Sequence, residues 1–138
     1  MNKVKTLGII DDDKIYTFLV KKTIEETNLV DMVKIFDHGL DAINFLMKNA
    51  DNRDALPEII LLDLSMPIMD GWEFLEEYVL LSPKLDKTIT IYIISSSISP
   101  YDIEKAKNIS LVTDFIIKPI SKEKLIEIFK KLQVVPTK

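Results

Sequence analysis

No cysteine occurs among the 138 residues. That absence excludes a disulfide framework and a thiolate zinc site, and it suits a reducing compartment. Glycine is scarce: Gly8, Gly39 and Gly71 are too scattered to form a dinucleotide fingerprint or a nucleotide-binding P-loop, so ATP binding has no support. The single histidine, His38, lies at a turn and reads as an ordinary exposed residue. No stretch approaches the roughly 20 apolar residues needed to cross a bilayer. The start, Met1-Asn2-Lys3-Val4-Lys5, leads into a short apolar run cut off by three acids, unlike a signal peptide. A basic excess is also missing, since 18 Lys and Arg face 22 Asp and Glu for a net charge of −4. Nonspecific nucleic-acid binding needs a basic stripe that displaces counterions. A cytoplasmic protein with neither membrane nor nucleic acid as partner is expected.

What is present is a core. A chain of this length with 47% hydrophobic residues reads as one domain over 1–138, with its core over about 4–132 and a frayed tail at 134–138. The most informative stretch is Ile59 to Gly71. Ile59-Ile60-Leu61-Leu62 is a continuous apolar run, as in a parallel strand covered on both faces, and it ends on Asp63. Pro67 stops the strand from continuing, and Asp70-Gly71 makes a turn before Trp72, Phe74 and Leu75 begin a helix ending at Leu81. Trp72 and Phe74 read as helix-packing residues rather than a nucleotide stack.

The same punctuation recurs along the chain. Val4 to Ile10 predicts a strand ending at Asp11-Asp12-Asp13, and Asp13 can cap a helix in which Ile15, Phe18, Leu19, Lys22 and Ile24 follow with helical spacing. Met32 to Phe36 predicts a second strand, followed by a helix from Leu40 to about Asn49 and a polar surface loop over 50–57. Thr88 to Ile94 predicts a fourth strand running into Ser95-Ser96-Ser97, and Ser99-Pro100 opens a short helix. Thr113 to Ile117 predicts a fifth strand ending in Lys118-Pro119. Ser121 then caps a last helix whose apolar face is Leu125, Ile128, Phe129 and Leu132.

Five strands alternating with five helices predict an α/β, doubly wound five-stranded parallel sheet. Parallel strands bring their C-terminal tips to one edge, where ligands bind in such sheets. Gathered there are Asp11, Asp12, Asp63, Ser95 and Lys118. Three carboxylates close together raise one another's pKa and call for a cation. Oxygen ligands without cysteine favour a hard ion, and few carboxylates suit Mg2+ better than a calcium cage. A metal with an ammonium beside it can hold phosphoryl oxygens, and an aspartate so placed can be the nucleophile.

Asp11-Asp12, the run Leu62-Asp63-Leu64-Ser65-Met66-Pro67 with Asp70-Gly71, Ser95-Ser96 and Lys118-Pro119 resemble the receiver domains of two-component response regulators, of the single-domain, chemotaxis-regulator-like kind. The resemblance covers nearly the whole chain. It implies the flavodoxin-like strand order 2-1-3-4-5 and a stand-alone response regulator that is not an enzyme beyond its own phosphorylation and dephosphorylation. It also implies phosphoryl transfer to Asp63 from a sensor histidine kinase or histidine phosphotransfer protein, and a downstream protein target. Asp12, Asp63 and the Ser65 backbone carbonyl would ligate Mg2+, with Asp11 acting mainly through water. Lys118 would pair with the phosphoryl group and Ser95 would bond it. As Ser95 moved, Phe115 would turn inward and alter a face made of the fourth helix, fifth strand and fifth helix. Pro119 resembles a family proline that follows a cis peptide. Phe115 stands where Tyr is frequent, and Ser110-Leu111-Val112 replaces a common Gly-Ala pair.

Two other readings stay open. An Asp-nucleophile phosphatase of haloacid dehalogenase type shares the aspartate, Mg2+ and lysine, but wants a second acid two positions after the nucleophile, where this chain has Ser65. A pseudo-receiver would bind partners without being phosphorylated.

Overall fold

A computed structural model describes residues 3–133, so the tail at 134–138 lies outside the described residues. Strands and helices alternate as β1 Val4–Ile10, α1 Lys14–Thr27, β2 Val30–Phe36, α2 Gly39–Lys48, β3 Ile59–Leu62, α3 Gly71–Leu81, β4 Thr90–Ser95, α4 Pro100–Lys107, β5 Val112–Ile117 and α5 Lys122–Gln133. A short 3-10 turn, Ser82–Lys84, continues from α3 across the Ser82-Pro83 stop. The strands pair in parallel in the order β2-β1-β3-β4-β5, the flavodoxin-like arrangement.

Side chains of the central strands alternate between two apolar layers, as a strand's period of two requires. Ile60 and Leu62 of β3, with Ile91 and Ile93 of β4, face α2, α3 and α4 through Leu46, Phe74, Tyr78 and Ala106. Ile59, Leu61, Tyr92 and Ile94 face α1 and α5 through Val20, Ile24, Leu125 and Phe129. Because both faces are covered, β3 is buried at every position. Local capping sets the helix starts. Asp13 accepts from the Tyr16 N–H at 3.0 Å, Asp70 and Glu73 form a reciprocal capping box, Ser99 caps α4 and Ser121 caps α5.

Three expectations are corrected. The buried stripe of α1 is Thr17, Val20 and Ile24, whereas Ile15, Phe18 and Leu19 are 75%, 61% and 56% exposed. The exit from β1 and the Asp13 cap fix the helix phase, and that phase overrides the more apolar stripe. The loop over 50–57 is polar only at its tip, because Leu56 is fully buried and its carbonyl accepts from Lys87 Nζ at 2.8 Å. His38 is half-buried and caps α2, its Nδ1 accepting from the Asp41 N–H at 3.4 Å. Strand starts also shift: β2 begins at Val30, paired with Val4, and β4 at Thr90, paired with Ile59.

Candidate functional site

The register places the acids. Ile10 pairs with Leu62, so Asp11 and Asp63 follow at the same step on adjacent strands. The ladder extends one bond further on each side, with Asp63 N donating to the Ile10 carbonyl at 2.9 Å and Asp11 N to the Phe36 carbonyl at 3.0 Å. On the far side, Lys118 N donates to the Ser95 carbonyl at 2.8 Å. Strand pairing thus carries Asp11, Asp63, Ser95 and Lys118 to one edge of the sheet.

Asp11 and Asp63 are buried, 3% and 6% exposed, while Asp12 is open to solvent. The Lys118 ammonium lies 2.9 Å from Asp11 Oδ2 and 3.4 Å from Asp63 Oδ1. Asp11 also accepts from the Asp13 N–H at 2.9 Å. Burial, then the charge of Asp11, push the Asp63 carboxyl up to about 6, with Lys118 opposing them. Burial works to lower Lys118, but its hydrogen bond to Asp11 and the charges of Asp11 and Asp63 outweigh it and hold the ammonium above its ordinary value. At neutral pH the site therefore holds an ionised, unusually basic Asp63 beside a firmly charged lysine.

The donor set fits a small hard cation. Asp11, Asp12 and Asp63 each offer a carboxylate oxygen, and these oxygens lie within 4.8 Å of one another. Three acids against one ammonium leave a net negative charge, which a dication would balance.

The loop from Asp63 to α3 is held tightly. Gly71 N donates to the Leu64 carbonyl at 3.0 Å, and Gly39 N to the Met69 carbonyl at 3.2 Å. A Cβ on Gly71 would stand 2.6 Å from the Asp63 carbonyl oxygen, so only glycine lets α3 start this close to the acid. Ser65, two residues beyond Asp63, is exposed in the same loop.

Other expected residues sit further from the carboxylates. The Ser95 hydroxyl is buried and accepts from the Ser97 N–H at 3.1 Å; among the described residues no hydrogen bond joins it to Asp63. Ser97 Oγ in turn donates to Asp102 Oδ2 at 2.8 Å, tying the loop to α4. Phe115 is partly buried on β5 against the layer that includes Ala106 of α4. Trp72 packs partly into the same layer with the Lys105 ammonium 4.5 Å from its ring centroid. The Lys118-Pro119 peptide is cis.

One neighbour escaped the sequence reading. Tyr16, on the first turn of α1, places its ring centroid 4.3 Å from Lys118 Nζ. Burial and the nearby Asp11 and Asp63 charges push its phenol well above the usual range, so it stays neutral. The available signal was its spacing: an aromatic four residues after Asp12 returns toward the strand tips after about one helical turn.

A flavodoxin-like sheet with a buried aspartate, two further acids and a lysine at its C-terminal edge has the layout of a receiver domain. The response regulator receiver domain matches residues 7–130, and the chain belongs to that family of two-component systems. The chemotaxis protein CheY of Listeria monocytogenes is 26% identical, over 91% of this chain and 95% of its own. The response regulator Rcp1 of Synechocystis sp. is 29% identical over 74% of this chain and 69% of its own. A two-component response regulator crystal structure from Cytophaga hutchinsonii superposes with a TM-score of 0.86 at 28% identity, covering 96% of this chain and 98% of that one. Receiver domains of this family normally hold Mg2+ through acidic residues. No helix among the described residues is long and apolar enough to cross a membrane.

Proposed function

We propose that this receiver accepts a phosphoryl group on Asp63 from a histidine kinase or a histidine phosphotransfer protein and signals through protein contacts. The observation that carries the reading is the convergence on buried Asp63 of Lys118 at 3.4 Å and two further carboxylates. An Asp63 oxygen attacks phosphorus, the N–P bond of the phosphohistidine breaks, and the imidazole regains a proton from solvent. Burial makes Asp63 a more basic nucleophile than an ordinary aspartate, and above pH about 6 it is ionised. Lys118 meets the incoming negative charge at a place where strand pairing has already fixed its backbone.

Asp11, Asp12, Asp63 and the Ser65 carbonyl would hold Mg2+, with Asp11 acting mainly through water. Bound there, the ion would offset charge on the acids and on the phosphoryl oxygens. Ser95 is the residue to register the product. A hydroxyl drawn toward the phosphoryl group releases the Ser97 N–H, and Ser97 is joined to Asp102 on α4. Phe115 borders a depression of about 230 Å³ with Ile103, Ala106 and Val112 between α4 and β5, and its ring would turn inward as Ser95 moved. The face of α4, β5 and α5 would then present itself to the target.

Incubation with acetyl phosphate and Mg2+ is expected to label the chain stoichiometrically at Asp63, and Asp63→Asn to abolish the label. Label persisting in that variant would overturn the assignment. Steady hydrolysis of an aryl phosphate would instead favour the phosphatase reading, although Ser65 lacks the second acid that class uses. No labelling under any donor would favour a pseudo-receiver.

A further inference from the structure

Lys118 is held from three sides, and only two of them are carboxylates. Its ammonium has three N–H groups. Asp11 at 2.9 Å and Asp63 at 3.4 Å account for two, and on a third side the Tyr16 ring lies 4.3 Å from Nζ to centroid. The lysine side chain is only 17% exposed. A cation over an aromatic face in such a desolvated place is attracted to the ring quadrupole more strongly than at an open surface.

We propose that Tyr16 is a positioning residue for phosphoryl transfer, its ring face holding the Lys118 ammonium over the Asp63 carboxylate. The proposal rests on the phosphoacceptor reading of Asp63. Three features give it force. Lys118 follows the end of β5 on a four-carbon stem, so its backbone anchoring at Ser95 does not by itself fix the ammonium. Asp11 is its nearer partner, and a lysine drawn fully to Asp11 would be withdrawn from Asp63. Tyr16 is itself set by the Asp13 cap, which accepts its N–H, so the α1 start and the lysine are placed by the same turn. The ring face, and not the hydroxyl, carries this role, so phenylalanine should replace tyrosine while an aliphatic side chain should not.

Two measurements test this. In the metal-free wild-type chain, a carbon–proton correlation spectrum should show the Lys118 Cε protons shifted upfield by the ring, with the shift kept in Tyr16→Phe and lost in Tyr16→Leu. With acetyl phosphate and saturating Mg2+, Tyr16→Phe should label at about the wild-type rate, and Tyr16→Leu about tenfold more slowly, the scale of one desolvated cation–π contact. Unshifted Lys118 protons in the wild type would overturn the proposal, and that measurement stands even if Tyr16→Leu fails to fold. A folded Tyr16→Leu chain that labels at the wild-type rate would overturn it as well. A wild-type chain inert to acetyl phosphate, with the shift present, would instead remove the phosphoacceptor reading and with it the role, leaving the contact.

Discussion

Asp11 and Asp63 leave neighbouring strands at the same register step, Ile10 pairing with Leu62, and they share a single ammonium that sits closer to Asp11. Lys118 thus cannot fully neutralise both acids. Asp63 bears the imbalance: burial first, and then the charge of Asp11, push its carboxyl up from 3.8 to about 6, and the more distant Lys118 offsets only part of that rise.

This imbalance sets a pH dependence. Between about 4 and about 6 the folded chain keeps a proton on Asp63 that the unfolded chain has released, so stability falls as pH rises through this window and levels off above it. After discounting for solvent screening at the mouth of the site, the loss is about 2 kcal/mol. Metal-free Asp63→Asn should lose that slope and be more stable than wild type at pH 7 by a similar amount. Urea denaturation in EDTA at several pH values checks it, and parallel pH profiles for the two chains would contradict it.

A metal should reverse the penalty. Magnesium bound only by the folded state stabilises it by RT ln(1 + [L]/Kd), about 2.7 kcal/mol at a hundred times Kd. Asp12 is the exposed member of the acid trio, so Asp12→Ala removes a ligand without opening the core. The variant is expected to match or slightly exceed wild type in EDTA and to fall below it in Mg2+. Thermal melts with and without the ion test this, alongside a titration followed by Trp72 fluorescence. Equal magnesium affinity in both chains would exclude Asp12 as a ligand.

The positions of Asp11, Asp12, Asp63, Ser95 and Lys118 could be anticipated because each polar group terminates an apolar or β-branched run, and parallel strands put such terminations on one edge. Helix phase was harder to anticipate. Ile15, Phe18, Leu19 and Lys22 have ideal helical spacing, yet the Asp13 cap turns Thr17, Val20 and Ile24 inward. Leu56 was hidden in a polar stretch because its burial depends on where the following strand begins, which composition does not record. The Tyr16 contact with Lys118 joins positions about a hundred residues apart, and only the assembled sheet edge creates it.

Gly71 should be the least replaceable glycine. At the start of α3 an alanine gains about 1 kcal/mol in helix propensity. Its Cβ, however, would meet the Asp63 carbonyl oxygen at 2.6 Å and the Leu64 Cα at 2.8 Å, both backbone atoms that cannot swing aside. Overpacking of this kind costs about 1–3 kcal/mol, so the clash outweighs the propensity. Gly71→Ala is expected to lower stability by about 1 kcal/mol, the middle of the difference between those figures, and to slow labelling at Asp63 by displacing the loop. Unchanged urea midpoint and unchanged labelling would show that the loop yields freely.

Ile68 carries the opposite prediction. It is exposed, yet its φ is 70, and the Met69 N–H donates to the Pro67 carbonyl at 2.8 Å across it. That bond closes a γ-turn of the rare, strained hand, with a β-branched residue at its centre. Such a backbone costs roughly 1–3 kcal/mol, and glycine adopts it without the Cβ clash. Glycine also adds freedom to the unfolded chain, worth up to about 1 kcal/mol against folding. Relief should exceed that cost, because the Ile68 side chain is 71% exposed and buries little. Ile68→Gly is therefore expected to stabilise the chain by about 1 kcal/mol, while Ile68→Val, equally branched, should change nothing. A lower urea midpoint for Ile68→Gly would mean that the turn beside Asp63 stores no strain.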